Sequence, residues 1–262
     1  MDKGEPFMIQ YLLTPPDCLS QARSWKLPMA HMAFQLGPEG RLRQAALPEG
    51  KLGGLMLLGL PEEPAEGTDP RLGVRDILAA CQARDFRGVV LDLEGPPTPY
   101  RASLIPALDE ALARSRRGLF LPEPYANYSA RAFLYLSSAL SGGSLSRRLE
   151  TAAEQYGADR LVLSLHRARE DFFLPATQGA GKPISQGELE RRMAQLETRV
   201  FFSQELCAHY FTYMSRETGA HFILFDDKTS LRKKREIAQK RGIQRFFWLY
   251  PEVAEYGAEV TA

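Results

Sequence analysis

The fold class predicted for this chain is α/β, a (β/α)8 TIM barrel built as one domain over residues 1–262 with few insertions. Two observations predict it. Short runs that are apolar at nearly every position, as strands covered on both faces must be, alternate with segments of helical periodicity. The runs recur at a spacing of roughly 25–35 residues, the interval that parallel neighbours joined by a crossover helix require. The length of 262 residues is close to the ~250 of a barrel with short loops. A doubly wound open sheet fits the same alternation.

The candidate strands lie at 7–13, 31–36, 55–60, 88–93, 118–122, 160–165, 200–202, 222–225 and 246–249. They are one too many for the barrel, so either Val200 to Phe202 or Phe222 to Phe225 stands outside it. Between them, Leu104, Ile105, Leu108 and Leu112 recur at helical spacing, and Gly118 supplies a stop. Leu145, Leu149, Ala152 and Tyr156 form a second stripe, ended by Gly157. Ser185-Gln186-Gly187-Glu188 reads as a capping box ahead of Leu189, Met193 and Leu196. The charged run 230–241, with Leu231 and Ile237 as its apolar contacts, reads as a solvated helix face. Residues 61–69 and 177–183 have the small, polar and turn-forming composition of loops.

Composition narrows the function. Lys and Arg total 33 against 32 Asp and Glu, a net charge of +1, so no basic field exists to hold a nucleic acid. No uninterrupted apolar run reaches the ~18 residues of a transmembrane segment. Residues 1–6 lack a basic stretch followed by an apolar core, and Cys18, Cys81 and Cys207 lack metal-type spacing. These features point to a cytoplasmic protein with reduced thiols. Neither a cofactor nor a metal is implied, and the oligomeric state is left open.

The chemistry-bearing segment ends the fourth run, Arg87-Gly88-Val89-Val90-Leu91-Asp92-Leu93-Glu94-Gly95-Pro96. Functional groups of parallel barrels gather at strand C-termini. Asp92 and Glu94, two apart, face the same way there. Two carboxyl groups so close share a proton, which drives one toward a neutral-range pKa, as a general acid needs. Strand-end carboxylates that cap a helix or pair with Arg produce the same pattern.

The segment resembles the active-site strand of glycoside hydrolase family 18, the chitinase-like barrels, whose pattern is D-G-x-D-x-D-x-E. Gly88 takes the Gly, Asp92 the last Asp and Glu94 the Glu. Downstream, Phe225-Asp226-Asp227 followed by a Lys/Arg-rich helix, Gly242-Ile243 and Phe246-Phe247-Trp248 is similar to the family's closing stretch, particularly that of its short spore-germination and spore-cortex branch. The resemblance implies substrate-assisted retaining hydrolysis of a glycan containing N-acetylglucosamine, of peptidoglycan or chitin type. Glu94 would protonate the glycosidic oxygen, the substrate's acetamido carbonyl would attack the anomeric carbon, and Asp92 would hold the amide. Trp248 would be the floor beneath a sugar, and spore association would be compatible with the missing export signal.

The pattern is incomplete. Arg87 and Val90 replace two motif Asp residues, and the sixth-strand Met-x-Tyr-Asp is matched best by Ser164-Leu165-His166-Arg167, with His166 in place of the Tyr. Such gaps also suit a catalytically eroded barrel that binds glycans or acts as a scaffold without turnover. An unrelated barrel enzyme whose acid pair holds a divalent metal is a third reading, although two carboxylates are few ligands. Tyr100, Tyr125 and Tyr128 follow the fourth and fifth runs, where they would offer further stacking faces or pack on helices. Glu123 would reach Arg167 across the mouth.

Overall fold

In the computed structural model, which describes residues 8–175, 181–196 and 198–262, eight parallel strands close into a barrel. They are Ile9–Thr14, Met29–Leu36, Leu55–Gly59, Gly88–Asp92, Gly118–Pro122, Phe133–Ser137, Leu161–Leu165 and Arg245–Leu249. Leu12 of the first strand lies opposite both Met29 of the second and Trp248 of the eighth. That double pairing closes the sheet and excludes the doubly wound alternative, whose sheet has free edges.

Alternation along each strand divides the apolar residues between two layers. Leu13, Ala30, Leu55, Leu57, Val90, Phe120, Val162 and Phe247 fill the barrel interior, with Tyr11 and Tyr135 packed against them. The intervening residues, among them Leu12, Leu58, Leu91, Leu163 and Trp248, pack outward against the helices. Gly88 is needed where the fourth and fifth strands approach, because a Cβ there would sit 2.6 Å from the Gly118 carbonyl oxygen. Gly88→Ala is expected to destabilise the fold by roughly 1–3 kcal/mol through the strand separation it forces. Urea denaturation of the two proteins checks this, and matching midpoints would refute it.

Seven barrel strands fall on predicted runs; the sixth, Phe133–Ser137, does not. Only residues 123–132 separate it from the fifth strand, and the link contains a 3-10 segment, Glu123–Tyr128, in place of a crossover α-helix. The expected spacing therefore fails there. Ser164-Leu165-His166-Arg167 consequently belongs to the end of the seventh strand and the loop after it, not to the sixth.

The runs at 200–202 and 222–225 both lie outside the barrel, so the expectation of few insertions needs correcting. Between the seventh strand and the last long helix stands a five-stranded antiparallel sheet made of Arg169–Phe173, Lys182–Pro183, Phe201–Ser203, Ala208–Ser215 and Gly219–Phe225. Helix Gln186–Leu196 covers one face through Leu189, which packs with Phe211, Ile223 and Phe225. Phe172, Ala208 and Leu224 on the other face meet Ala139, in the loop after the sixth strand. Residues 1–7 and 176–180, which hold the start of the first run and most of the loop expected at 177–183, lie outside the described residues.

The helix expected after the Ser185 cap is present, and three others also start at side-chain caps. Thr98, Ser144 and Asp227 cap Pro99–Arg114, Leu145–Tyr156 and Lys228–Gln239 through their side chains, and the Ser185 hydroxyl accepts from the Glu188 N–H at 3.1 Å. The charged helix Lys228–Gln239 is less solvated than its composition suggests. Lys234 and Arg235 are buried, Lys234 against Asp226 and Arg235 against the Thr261 carbonyl at 2.8 Å.

Candidate active site

Asp92 is the last residue of the fourth strand and shares the inward parity of Val90, which puts its carboxyl at the C-terminal mouth of the barrel. Glu94 lies just beyond the strand, and both residues are exposed. They line one open cleft of ≈ 460 Å³ with Gln35, Gly59, Leu60, Pro61 and Arg101. A second cleft of ≈ 430 Å³ shares Gln35, Gly59 and Asp92 with it, so Asp92 stands at the junction of a longer groove. The acid pair is open to a ligand.

The Asp92 carboxyl is pushed above the ordinary aspartate value, first by loss of water against the barrel wall and then by the charge of Glu94, with His166 opposing. His166 is held in place by its Nε2, 2.8 Å from the Ser164 hydroxyl, and by its backbone N–H, which donates to the Ser138 hydroxyl at 3.2 Å. Its Nδ1 lies 4.0 Å from Glu252, which follows the eighth strand. Burial lowers the imidazole pKa against the pull of Glu252 and Asp92.

Tyr135 is a site residue that sequence reasoning missed. It enters the barrel from the sixth strand, its hydroxyl donates to the Leu91 carbonyl at 2.9 Å, and burial followed by the nearby Asp92 charge raises its pKa. The available signal was the run Phe133-Leu134-Tyr135-Leu136 following the turn-forming Ser129. Arg101 is another. It is 7 % exposed, donates to the Glu94 carbonyl, and bonds the Tyr125 hydroxyl at 2.8 Å. Tyr125 in turn reaches the Gly95 and Pro96 carbonyls at 3.2 and 3.3 Å, so the two side chains brace the turn that carries Glu94.

No protein-family model and no curated protein matches this chain. Solved structures do. The spore cortex-lytic enzyme SleL of Bacillus megaterium superposes with a TM-score of 0.66 at 14% identity, covering 93% of this chain and 71% of that one. A class V chitinase from Nicotiana tobaccum gives 0.68 at 13% identity, covering 98% of both chains. The GH18 chitinase of Cycas revoluta, in complex with (GlcNAc)3, gives 0.65 at 13% identity over 97% of this chain and 100% of that one. The fold is that of the chitinase-like barrels.

On this chitinase-like barrel several predicted site residues lie away from the acid pair. Trp248 is fully buried on the outer side of the eighth strand, because Phe247 takes the inward position next to it. Its indole N–H donates to Gln10 at 2.8 Å, and Gln10 donates to the Thr261 carbonyl at 2.9 Å, so the residue anchors the C-terminal segment and offers no face to a sugar. Tyr125 is 1 % exposed and cannot stack on a ligand either. Tyr100 is half-buried and lines a separate cavity of ≈ 680 Å³ between residues 63–70 and the start of helix Pro99–Arg114. Glu123 pairs with Arg148 at 2.7 Å. Arg167, its expected partner, instead bonds Gln186 at 2.6 Å and the Glu252 carbonyl at 3.3 Å, and pairs with Glu255.

Arg87 precedes the fourth strand at the opposite end of the barrel, so it takes no part in the cleft. Val90 is 2 % exposed within the apolar interior. Among the described residues, no group of three or more His, Cys, Asp or Glu side chains could hold a metal ion, and no helix is long and apolar enough to cross a membrane.

Proposed function

We propose that this chain binds and hydrolyses glycans containing N-acetylglucosamine, with Glu94 as the acid/base. The observation that carries the reading is that Asp92 and Glu94 line one open cleft at the C-terminal mouth of the barrel. Glu94 donates a proton to the glycosidic oxygen as the substrate's acetamido oxygen attacks the anomeric carbon and the glycosidic C–O bond breaks; water, deprotonated by Glu94, then opens the cyclic intermediate and restores the acid. Asp92, whose carboxyl is shifted toward its protonated form by burial and by the charge of Glu94, orients the amide and exchanges a proton with Glu94 as the sugar displaces water. Tyr135 and His166, both near enough to Asp92 to feel its charge, are the neighbouring polar groups that would steady its carboxyl. Peptidoglycan-type chains are the preferred substrate class, since cortex-lytic SleL is among the similar structures, and a spore-associated site of action goes with it.

Two observations favour a second reading, glycan binding without turnover: Val90 provides no second acid beneath Asp92, and Trp248 provides no stacking floor. One experiment separates the two. Release of reducing ends from N-acetylglucosamine oligomers and peptidoglycan fragments is measured for the wild type and Glu94→Gln. Hydrolysis predicts a loss of roughly 10²–10⁴-fold in the variant. Equal rates would end the acid/base assignment. An oligomer that raises the melting temperature yet is recovered uncut selects the binding reading, and failure of every glycan to bind or react removes both.

A further inference from the structure

Outside the barrel mouth, the inserted sheet holds a second set of groups linked in series. The Thr218 hydroxyl lies 2.6 Å from His221 Nε2, and His221 Nδ1 lies 2.8 Å from Asp171 Oδ1. The other Asp171 oxygen accepts from Arg192 at 2.6 Å, and Arg192 also donates to the Tyr213 hydroxyl at 2.9 Å. Tyr213 stacks on the imidazole at 4.7 Å and 8°, while Phe173 meets the same ring edge-on at 5.7 Å. Four side chains thus fix the ring of His221, which is itself 8 % exposed, whereas Thr218 is open to solvent in the turn before Gly219. Asp171, Phe173, Lys182, Glu217, Thr218 and His221 line one cavity of ≈ 430 Å³.

The order of the bonds assigns the tautomer. With the Asp171 carboxylate accepting, a neutral His221 carries its proton on Nδ1 and leaves Nε2 to accept from Thr218. Hydroxyl, base and orienting carboxylate in that sequence are the parts of an activated nucleophile. We propose that Thr218, His221 and Asp171 form an acyl-transfer site that hydrolyses small carboxylic esters, independent of the acid pair of the barrel. Thr218 Oγ1 attacks the ester carbonyl as its proton passes to His221 Nε2. The tetrahedral intermediate collapses, the ester C–O bond breaks, and the leaving alcohol takes that proton. Water, deprotonated by the same nitrogen, then cleaves the acyl-threonine to free acid and restores the hydroxyl. Lys182, paired across the sheet with Asp171, brings an ammonium to the same cavity where negative charge develops on the carbonyl oxygen.

The test uses p-nitrophenyl acetate as the probe. The wild type should release p-nitrophenolate, with an acetyl group recovered by mass spectrometry on the peptide that contains Thr218. Thr218→Val keeps the branched shape and should lower the rate by roughly 10²-fold, while Thr218→Ser retains activity. A rate that depends on His221 but not on Thr218 would mean simple imidazole esterolysis and overturn the proposal. So would hydrolysis no faster than buffer, or an acetyl group found only elsewhere in the chain. The adduct and the Ser variant keep the test decisive should Thr218→Val fold poorly.

Discussion

Lys234→Met will destabilise this protein by about 3–5 kcal/mol, because it leaves a buried carboxylate without its counter-charge. Lys234 Nζ and Asp226 Oδ2 are 2.6 Å apart, with side chains 1% and 0% exposed. Asp226 is committed to two further bonds: it accepts from the Ala168 N–H at 2.9 Å and from the Ser230 hydroxyl at 2.7 Å. Water cannot replace the ammonium at such depth, so the carboxylate loses much of its compensation while its desolvation remains. Replacing both partners, as Asp226→Asn with Lys234→Met, should recover much of the loss, since no buried charge is then left alone. Chemical denaturation of the three variants measures this directly. A loss below about 1 kcal/mol for Lys234→Met would show that the site admits water.

The pair also matters to the cleft. Through Ala168, Asp226 pins the loop that begins at His166, and through Ser230 it joins that loop to the start of helix Lys228–Gln239. Removing Lys234 should therefore loosen the loop after the seventh strand even where the barrel remains folded.

The second large effect is acid destabilisation through His31. This imidazole is 1% exposed, packs 5.4 Å from the Phe86 ring, and neither ring nitrogen has a well-formed hydrogen bond among the described residues. Burial lowers its pKa from 6.5 to about 4, offset in part by the Gly53 backbone. The folded protein thus keeps His31 neutral while the unfolded chain takes up a proton. Its contribution to stability is complete above pH 6.5 and is lost as the pH falls toward about 4. At 1.36 kcal/mol per pKa unit the window is worth about 3 kcal/mol. Denaturation midpoints followed from pH 7 to pH 4 should fall more steeply in the wild type than in His31→Phe, which keeps an aromatic contact with Phe86. Parallel curves for the two proteins would refute the assignment.

Much of the barrel was legible because its causes are local. Strands covered on both faces need nearly continuous apolar runs, and seven of the eight declare themselves that way. One helix start is legible from its cap, Ser185, whose hydroxyl accepts from the Glu188 N–H; Thr98, Ser144 and Asp227 cap three more helices by the same local bond. The sixth strand escaped because its link to the fifth is too short for a crossover α-helix, and with it went Tyr135. The runs at 200–202 and 222–225 are apolar for a different reason: they belong to an antiparallel sheet sandwiched between helix Gln186–Leu196 and the barrel loops. Apolarity records that a strand is covered, not which neighbour covers it.

Asp92 and Glu94 could be picked out from their positions in the chain, since a strand end in a parallel barrel has one destination. Trp248 could not. Its neighbour Phe247 competes for the inward position, and only closure of the eighth strand against the first decides which ring faces the interior. The same holds for the cation partners: Arg148 with Glu123, Lys234 with Asp226, and Arg192 with Asp171 join residues from different elements. Periodicity and capping act over a few bonds and are written along the chain. Side-chain facing and ion pairing depend on register and approach between distant segments, which exist only once the barrel has closed.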